Sequence, residues 1–384
     1  MYKQMMHFVM GSAFALLISF SLFYPRAFLI QQEWRQFSKN TPSFLSILEG
    51  KEEKACHWDC DIFVQIASHP QTEATNKDWT AFFPSWTSAL RGLIHLFPQV
   101  SPRALSLYLS NLLLILAGAV IFQVGRELKA ATPGAGLAFL PLSIFLFPYS
   151  VPSSFGYSDP LFLFLYVLAF YLLLRKHWLL AASTFGLLGI TRPQGFWLSG
   201  IFSIMSLSQL FTLGRNYFRV EFKNRKVIVA SAVIPVLPFL LYLCWQYHYY
   251  GDPLAFIKAQ ASWKRSFTFW RAFIDQAPLP KLFPMMIWTC LIGSFYFLKK
   301  RDFHWSFLGL STFVLTELPL FSGGLMSYSR YLSTNLGMFL FVALFLSESK
   351  RKYSRYLELA LILWGVLHFV TEMKEYLYAP GYCP

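Results

Sequence analysis

Residues 56–69 of this mostly apolar chain, CHWDCDIFVQIASH, contain two carboxylates, two histidines and two cysteines. On a helix, Asp59 shares a face with Phe63 and Ile66, whereas Asp61 points elsewhere because residues two apart do not face each other. A carboxylate that is partly desolvated against an apolar surface is a better general base than a fully solvated one. Asp59 is therefore our candidate base. The alternative is that both carboxylates simply keep the loop soluble.

The cysteines of this stretch allow two further interpretations. Cys56 and Cys60 are four residues apart and could share a helical face, where they could bind zinc or form a bridge. A structural zinc site needs four ligands, and the remaining cysteines are Cys244, Cys290 and Cys383. Asp61 offers few oxygen ligands for a divalent ion, so we expect no metal and no cofactor. A disulfide to Cys383 also stays open, because pairing does not follow from sequence.

The composition predicts a polytopic membrane protein. Hydrophobic residues make up 55% of the chain and charged residues only 14%, against about a quarter in soluble domains. A crossing helix needs roughly 20 apolar residues. About eleven apolar runs meet this requirement and predict an all-α fold in one integral-membrane domain, residues 1–384. The runs are 8–24, 104–125, 134–150, 159–174, 178–191, 196–213, 227–249, 283–298, 303–321, 331–347 and 356–373.

Basic clusters between these runs set the orientation. With a cytoplasmic N-terminus, all five clusters fall in cytoplasmic loops, as the positive-inside bias requires. Residues 25–103 and 250–282 then form two large non-cytoplasmic loops, and the net charge of +14 is a topology signal, with no nucleic-acid partner expected. The first run lacks a small-residue cleavage pattern, so we expect a retained helix. The clusters are Arg126 with Lys129, Arg175 with Lys176, 215–226, 299–301 and 350–355.

Several stretches resemble one enzyme family. They follow one another in the order in which the motifs of the PIG-V mannosyltransferases occur, the enzymes that add the second mannose to glycosylphosphatidylinositol precursors. The stretches are HWDCDIFVQIASHP, TAFFP, FPYSVPSSFGYSDPLF, GITRPQG, YGDPLAFIKAQASW and SYSRYLS. Departures include Pro70 and Gln71 in place of a glycine-tyrosine pair, and Asp159 in place of a glutamate. These departures favour a prokaryotic relative acting on a different acceptor.

The resemblance implies a GT-C glycosyltransferase fold with about eleven transmembrane helices. Its donor would be a polyprenyl-phosphate mannose and its acceptor a lipid-linked or glycan hydroxyl, with transfer on the non-cytoplasmic face and inversion at the sugar carbon. The location would be a bacterial or archaeal plasma membrane, or the endoplasmic reticulum in a eukaryote. Membrane lipids are the remaining expected partners.

The resemblance also assigns residues. Asp59 would be the catalytic base, and the other matched positions would bind substrate: Trp58, Asp61, Asp159, Arg192, Gln194, Gln260, Trp263 and Arg330. Simpler roles remain open for some of them. Arg192 could anchor a helix end, Asp159 could favour a helix dipole, and Trp263 could be an interface anchor. Arg330 could bind the departing phosphate or pair with Glu317, which lies inside an apolar run.

Two other classes of protein fit the composition. A lipid or solute transporter or flippase also has apolar helices with intramembrane charges, although inverted repeats are common there and none is evident here. A non-catalytic subunit of a glycosylation complex is the other alternative. The presence of both Asp59 and Arg192 argues against it.

The orientation predicts which positions a membrane-impermeant thiol reagent reaches. Cysteines introduced near Lys77 and Ala277 should react from the outer face of sealed membranes. Cysteines near Asn224 and Lys350 should react only after the membrane is opened, because the basic clusters hold their loops inside. Labelling of all four positions from one side would exclude the topology.

Overall fold

The computed structural model describes residues 2–37, 56, 58–69, 77–129, 139–211, 225–262, 283–321, 328–348 and 351–378. These residues form an all-α bundle, as the composition predicts. Its helices are α1 (Tyr2–Phe37), α2 (Asp59–Ser68), α3 (Pro84–Leu96), α4 (Pro102–Lys129), α5 (Phe139–Phe145), α6 (Asp159–Leu174), α7 (Trp178–Gly189), α8 (Pro193–Ser208), α9 (Arg225–Val233), α10 (Leu237–Tyr250), α11 (Ala255–Ser262), α12 (Phe283–Lys299), α13 (Phe303–Phe321), α14 (Tyr328–Leu332), α15 (Leu336–Glu348) and α16 (Arg351–Tyr378). Two 3₁₀ segments span Lys77–Ala81 and Pro148–Ser154.

Four helical segments of the described chain are long and apolar enough to cross a membrane. They lie at Ser12–Ile30, Pro102–Leu128, Arg225–Tyr250 and Tyr356–Lys374, and the third consists of α9 and α10 joined by a turn. Shorter apolar helices lie between them; α6, with 16 residues, is about 24 Å long. The predicted class of integral-membrane protein is therefore confirmed. The count of eleven membrane crossings stays a prediction.

Three predicted spans are interrupted in the structure. In the run at 331–347, α14 ends at Leu332 and α15 begins at Leu336. In the described part of the run at 134–150, residues 139–150, the seven-residue α5 is followed by the 3₁₀ segment Pro148–Ser154. Proline has no backbone N–H and clashes with the preceding turn, so Pro148 and Pro152 prevent a regular helix there. The run at 227–249 is divided into α9 and α10 by a turn at residues 234–236.

Helix α1 extends beyond the predicted apolar run 8–24 into the region predicted as the first large loop, 25–103. The helix α1 continues to Phe37, so the chain is still helical over the first thirteen residues assigned to the loop, 25–37. Within the rest of the loop, α2, the 77–81 segment and α3 are ordered elements. The stretch that contains Asp59 and Asp61 is thus a packed helix: Phe63 and Ile66 of α2 are buried, and α2 lies against α3.

Proline lies in the first turn of three helices near the site. Proline occupies the first turn of α3, α6 and α8, where its missing N–H costs nothing. The residue before proline has extended backbone at Phe83 (ψ 148°) and Arg192 (φ −157°, ψ 158°). These two X-Pro pairs therefore set a sharp entry into α3 and α8.

An arginine inside α1 anchors that helix to the bundle. Arg26 is fully buried; its Nε donates to Ser154 Oγ (2.9 Å), and Nη1 donates to Phe145 O (2.6 Å) and Ser150 Oγ (2.7 Å). Its Nη2 donates to Ser150 O (2.5 Å), and the guanidinium lies over the Phe369 ring of α16. Carbonyl and hydroxyl oxygens thus satisfy a buried cation and hold the 145–154 segment against α1. The sequence around Arg26 does not predict this role.

Removal of the Arg26 guanidinium should destabilise the bundle. In Arg26→Ala, the buried carbonyls of Phe145 and Ser150 lose their donors, at about 1–3 kcal/mol each. We expect a fall of about 3 kcal/mol in the free energy of unfolding, measured by denaturation in detergent. The control is Arg126→Ala, which removes one exposed hydrogen bond to Gln123 and should change stability by less than about 0.5 kcal/mol. Equal effects of the two variants would refute the anchoring role.

Candidate active site

Four charged side chains from four separate elements form one connected chain. Arg330 of α14 forms an ion pair with Asp59 of α2, with Nη2 2.9 Å from Asp59 Oδ2, and its Nε lies 3.5 Å from Asp159 Oδ2. Arg192, at the start of α8, donates from Nη1 to Asp159 Oδ1. The order is Asp59, Arg330, Asp159, Arg192. Two carboxylates and two guanidinium groups make the chain electrically neutral.

Asp159 is the buried centre of this chain. Its side chain is inaccessible to solvent, and those of Arg330 and Arg192 are only 6% and 7% exposed. A carboxylate in that position must be paired, because a lone buried charge costs several kcal/mol. Asp159 also stands at the amino end of α6, where the helix dipole favours a negative charge. Arg192 stands at the amino end of α8, where the dipole disfavours a cation, and the Asp159 carboxylate offsets this.

Aromatic rings cover both guanidinium groups. The Tyr157 ring lies 4.8 Å from Arg330 Cζ, and the Tyr331 ring lies 4.8 Å from Arg192 Cζ. Such contacts contribute about 0.5–2 kcal/mol each when desolvated. Burial lowers the pKa of Arg330, but the carboxylates of Asp159 and Asp59 outweigh this and hold that pKa above its ordinary value. Arg330 therefore stays charged at any pH at which the protein folds.

The sharp turn between α7 and α8 sets the position of Arg192. A side chain at Gly195 would collide with Leu188 O at 1.9 Å, so only glycine allows the two helices to approach this closely. Pro193 starts α8 directly after the extended Arg192. The TRPQG sequence thus fixes the backbone that directs this guanidinium towards Asp159.

Asp59 is the accessible end of the chain of charges. It is the first residue of α2, and 26% of its side chain is exposed. The preceding residue, Trp58, has φ 52° and ψ −120°, a conformation that costs a non-glycine residue about 1–3 kcal/mol. Trp58 itself is 46% exposed. The start of α2 is therefore accessible at both residues.

Asp61 points away from the Asp59–Arg330 pair. Its Oδ1 accepts hydrogen bonds from Arg103 Nη2 at 3.0 Å and Nε at 3.2 Å, and both side chains are about one-third exposed. The two carboxylates of α2 thus take different directions, as their spacing predicts. Asp61 has a different partner from the base candidate, and a role in acceptor binding stays a prediction.

The other predicted site residues have different surroundings. Gln194 is buried next to Arg192, and within the described chain its Oε1 has no hydrogen-bond partner. Gln260 is half-buried on α11, which packs against the 77–81 segment. Trp263 lies outside the described residues. The alternative pair of Arg330 with Glu317 does not form: across the described chain, the ion-pair partners of Arg330 are Asp59 and Asp159.

Cys56 and Cys60 form a disulfide with each other. Their sulfur atoms are therefore unavailable to a zinc ion or to Cys383, which lies outside the described residues. Elsewhere in the described chain, no three histidine, cysteine or acidic side chains cluster in a way that could hold a metal. The expectation of a metal-independent protein stays a prediction.

Sequence reasoning singled out the charged residues but missed several that surround them. Tyr157, Tyr331 and Arg103 were not selected, although Tyr331 directly follows Arg330 in SYSRYLS and Tyr157 precedes Asp159 in GYSD. An aromatic residue adjacent to a motif arginine is the signal that could have indicated the ring contacts. Arg103 follows a proline at the start of α4 and carries no such signal.

Comparison with known proteins gives a distant likeness. No known protein family and no curated protein matches the sequence. Among solved structures, the Archaeoglobus fulgidus oligosaccharyltransferase in complex with Zn and sulfate is 16% identical with a TM-score of 0.48, over 79% of this chain and 45% of that one. The same protein in the apo form is 14% identical with a TM-score of 0.43, over 79% of this chain and 48% of that one. The chain spans less than half the length of these structures.

The buried centre makes a prediction about stability. Asp159→Asn leaves Arg192 without its carboxylate partner and should lower the free energy of unfolding by about 3–5 kcal/mol. Asp61→Asn, which removes the more exposed pair with Arg103, should lower it by about 0–1 kcal/mol. Denaturation in detergent compares the two.

A double variant tests whether pairing is the cause. Asp159→Asn combined with Arg192→Gln removes both charges of the buried pair, so more than half of the lost stability should return. If the stability losses of the two single variants simply add in the double variant, the Asp159–Arg192 pair does not explain the destabilisation.

Proposed function

We propose that this protein is a GT-C type mannosyltransferase of the membrane. It transfers mannose from a polyprenyl-phosphate mannose to a hydroxyl of a lipid-linked or glycan acceptor on the non-cytoplasmic face. The observation that carries the proposal is the Asp59–Arg330 pair, a partly exposed carboxylate in direct contact with a buried, permanently charged guanidinium. Transfer from a phosphate-linked sugar needs such a base next to such a cation.

The reaction can be written on these residues. The acceptor oxygen attacks the anomeric carbon of the sugar while the bond from that carbon to the phosphate oxygen breaks. The hydroxyl proton passes to Asp59, and the polyprenyl phosphate leaves with the bonding electron pair. Attack opposite the leaving group inverts the configuration. The cation is most useful where the phosphate gains charge in the transition state.

The pairing suggests how the donor prepares the base. In the structure, Arg330 Nη2 is bonded to Asp59. A donor phosphate that accepts a hydrogen bond from Arg330 competes with this contact and frees the carboxylate for the acceptor proton. Arginine suits phosphate because its planar fork donates two parallel hydrogen bonds. Asp159 holds the other side of Arg330 and keeps the guanidinium in place during the exchange.

Arg192 has a different part in this proposal. Its guanidinium is bound to the buried Asp159 and covered by Tyr331, on the far side of Asp159 from Asp59. Arg192 therefore positions Asp159, and Arg330 is the better phosphate ligand. Trp58, with its exposed indole, offers an apolar face of the kind that stacks on a sugar ring.

The same geometry supports the proposed position of the site at the non-cytoplasmic face. Asp159 and Arg192 lie at the amino ends of α6 and α8, and Arg175, beyond the far end of α6, pairs with Glu127 near the end of α4 at 2.8 Å. The four charges therefore gather at the end of the bundle opposite the basic loops. The positive-inside bias assigns that end to the non-cytoplasmic face.

A transfer assay tests the proposal directly. Membranes that contain the protein are incubated with labelled polyprenyl-phosphate mannose and a mixture of lipid acceptors. The enzyme hypothesis requires a new labelled glycolipid, whereas a transporter would move the donor across the membrane without breaking its sugar bond. Label that stays on the donor would exclude the enzyme.

Removal of the base should abolish transfer without unfolding the protein. Asp59→Asn keeps the shape of the side chain but cannot accept the proton, so we expect transfer to slow by about 10²- to 10⁴-fold. Asp61→Asn should lose less, because that carboxylate points towards Arg103. Arg330→Lys should keep the fold and lose much of the rate, because a single ammonium cannot replace the fork.

Single-turnover transfer and melting in detergent measure these effects together. Full activity in Asp59→Asn with loss in Asp61→Asn would move the base to Asp61. Unchanged turnover in a folded Arg330→Lys protein would remove Arg330 from the phosphate site.

A further inference from the structure

The Cys56–Cys60 disulfide encloses the backbone of the proposed base. The bond joins the residue two positions before Trp58 to the second residue of α2, so Trp58 and Asp59 lie inside the covalent ring. Both half-cystines are fully buried and pack with Phe155 and Tyr157 in a small apolar cluster. The strained backbone of Trp58 is therefore held between two buried sulfur atoms.

The disulfide also supports the opposite side of the site. Gly156 has φ 84°, and a side chain added there would meet Cys60 Sγ at 2.4 Å and Ser106 Oγ at 2.6 Å. The sulfur thus fills the space that glycine leaves, and Ser106 donates to Gly156 O at 3.2 Å. The next residue is Tyr157, whose ring covers Arg330, and Asp159 follows two residues later.

We propose that the Cys56–Cys60 disulfide positions Asp59 beside Arg330, and that transfer depends on it. The proposal rests on the proposed function of the same site. A ring this small removes little conformational freedom from the unfolded chain, so the bond contributes little to global stability by that route. Its consequence is local. Without the bond, the Trp58 backbone relaxes and the Asp59 carboxylate moves away from the geometry that transfer needs.

The bond also agrees with the side of the membrane assigned to the site. Disulfides persist in oxidising compartments outside the cytoplasm and are rare inside it. Reduction by a dithiol such as dithiothreitol breaks the S–S bond, adds two electrons and two protons, and gives two thiols and the oxidised reagent. Because both sulfur atoms are buried, this reaction requires α2 to open. Substitution of the cysteines is therefore the cleaner test.

The first experiment compares the double variant Cys56→Ser/Cys60→Ser with the wild-type full chain, and uses Cys244→Ser as the matched control. Cys244 is a free, exposed cysteine on α10. Displacement of a reacting group by about 1 Å costs about 100-fold in rate, so kcat of the double variant should fall by about that factor. KM for the donor and the melting temperature should change little. Cys244→Ser should have the kcat, the KM for the donor and the melting temperature of the wild type.

A double-mutant cycle separates positioning from a general structural effect. If the disulfide acts through Asp59, its removal in an Asp59→Asn background should change single-turnover transfer by less than about twofold. If the two losses of transfer rate are independent and multiply, the proposal is overturned. Full activity of a folded Cys56→Ser/Cys60→Ser protein would also overturn it. A third contrary result would be two free thiols in the unreduced tryptic peptide 55–77 of the wild type, measured by mass spectrometry.

A readout that needs no activity distinguishes this inference from the proposed function. Hydrogen exchange of the amides at 62–64, the first in α2 that donate within the helix, should become faster in the double variant, while exchange in α3 stays unchanged. If these amides are protected in the wild type and exposed in the double variant, but the wild type transfers no mannose, the proposed function fails and the positioning of Asp59 by the disulfide stands. If exchange at 62–64 is the same in both proteins, the positioning role fails regardless of activity.

Discussion

A carboxylate buried completely inside an apolar bundle constrains everything around it. Asp159 cannot stay charged there unless cations approach it, and two arginines from distant parts of the sequence do so. Arg192 brings the turn between α7 and α8 to the start of α6, and Arg330 brings the short helix α14 to the same point. The second contact of Arg330 then attaches α2 through Asp59. One desolvated charge thus requires four elements to converge.

This arrangement separates a rigid part of the site from a reactive part. Asp159 and Arg192 are buried; the α6 dipole favours the Asp159 carboxylate, and the Tyr331 ring covers Arg192. Asp59 lies at the accessible end, where a substrate would compete for Arg330 in the proposed mechanism. A site of this kind combines a fixed cation with a carboxylate that can be released. The proposed transfer of a sugar from a phosphate uses both properties.

The segment from Phe145 to Asp159 connects the membrane helices to this chemistry. Arg26 of α1 holds its first half, Asn111 of α4 donates to Ser154 O at 3.0 Å, and Ser106 holds Gly156. The disulfide packs against the same glycine. Regular helix is absent there because of Pro148 and Pro152, so side chains of neighbouring helices satisfy much of the backbone instead. The irregular stretch is thereby held firmly enough to carry Tyr157 and Asp159.

The sequence alone determined the membrane class, most helix positions and the helix starts at the site. Apolar run length and X-Pro pairs are local signals, which is why the helices at 159–174 and 303–321 have the predicted bounds. The same local signals failed at 134–150, where the prolines interrupt an apolar run. They also failed beyond residue 25, where polar residues continue α1 to Phe37.

The motif charges at Asp59, Asp159, Arg192 and Arg330 were also chosen from the sequence. Which of them pair was decided by the tertiary structure, because Asp59 and Arg330 are brought together across most of the chain by packing that no local pattern encodes. The same reason explains why Arg330 meets two aspartates and not Glu317. It also explains why Arg26, just beyond the predicted apolar run 8–24, is a buried anchor.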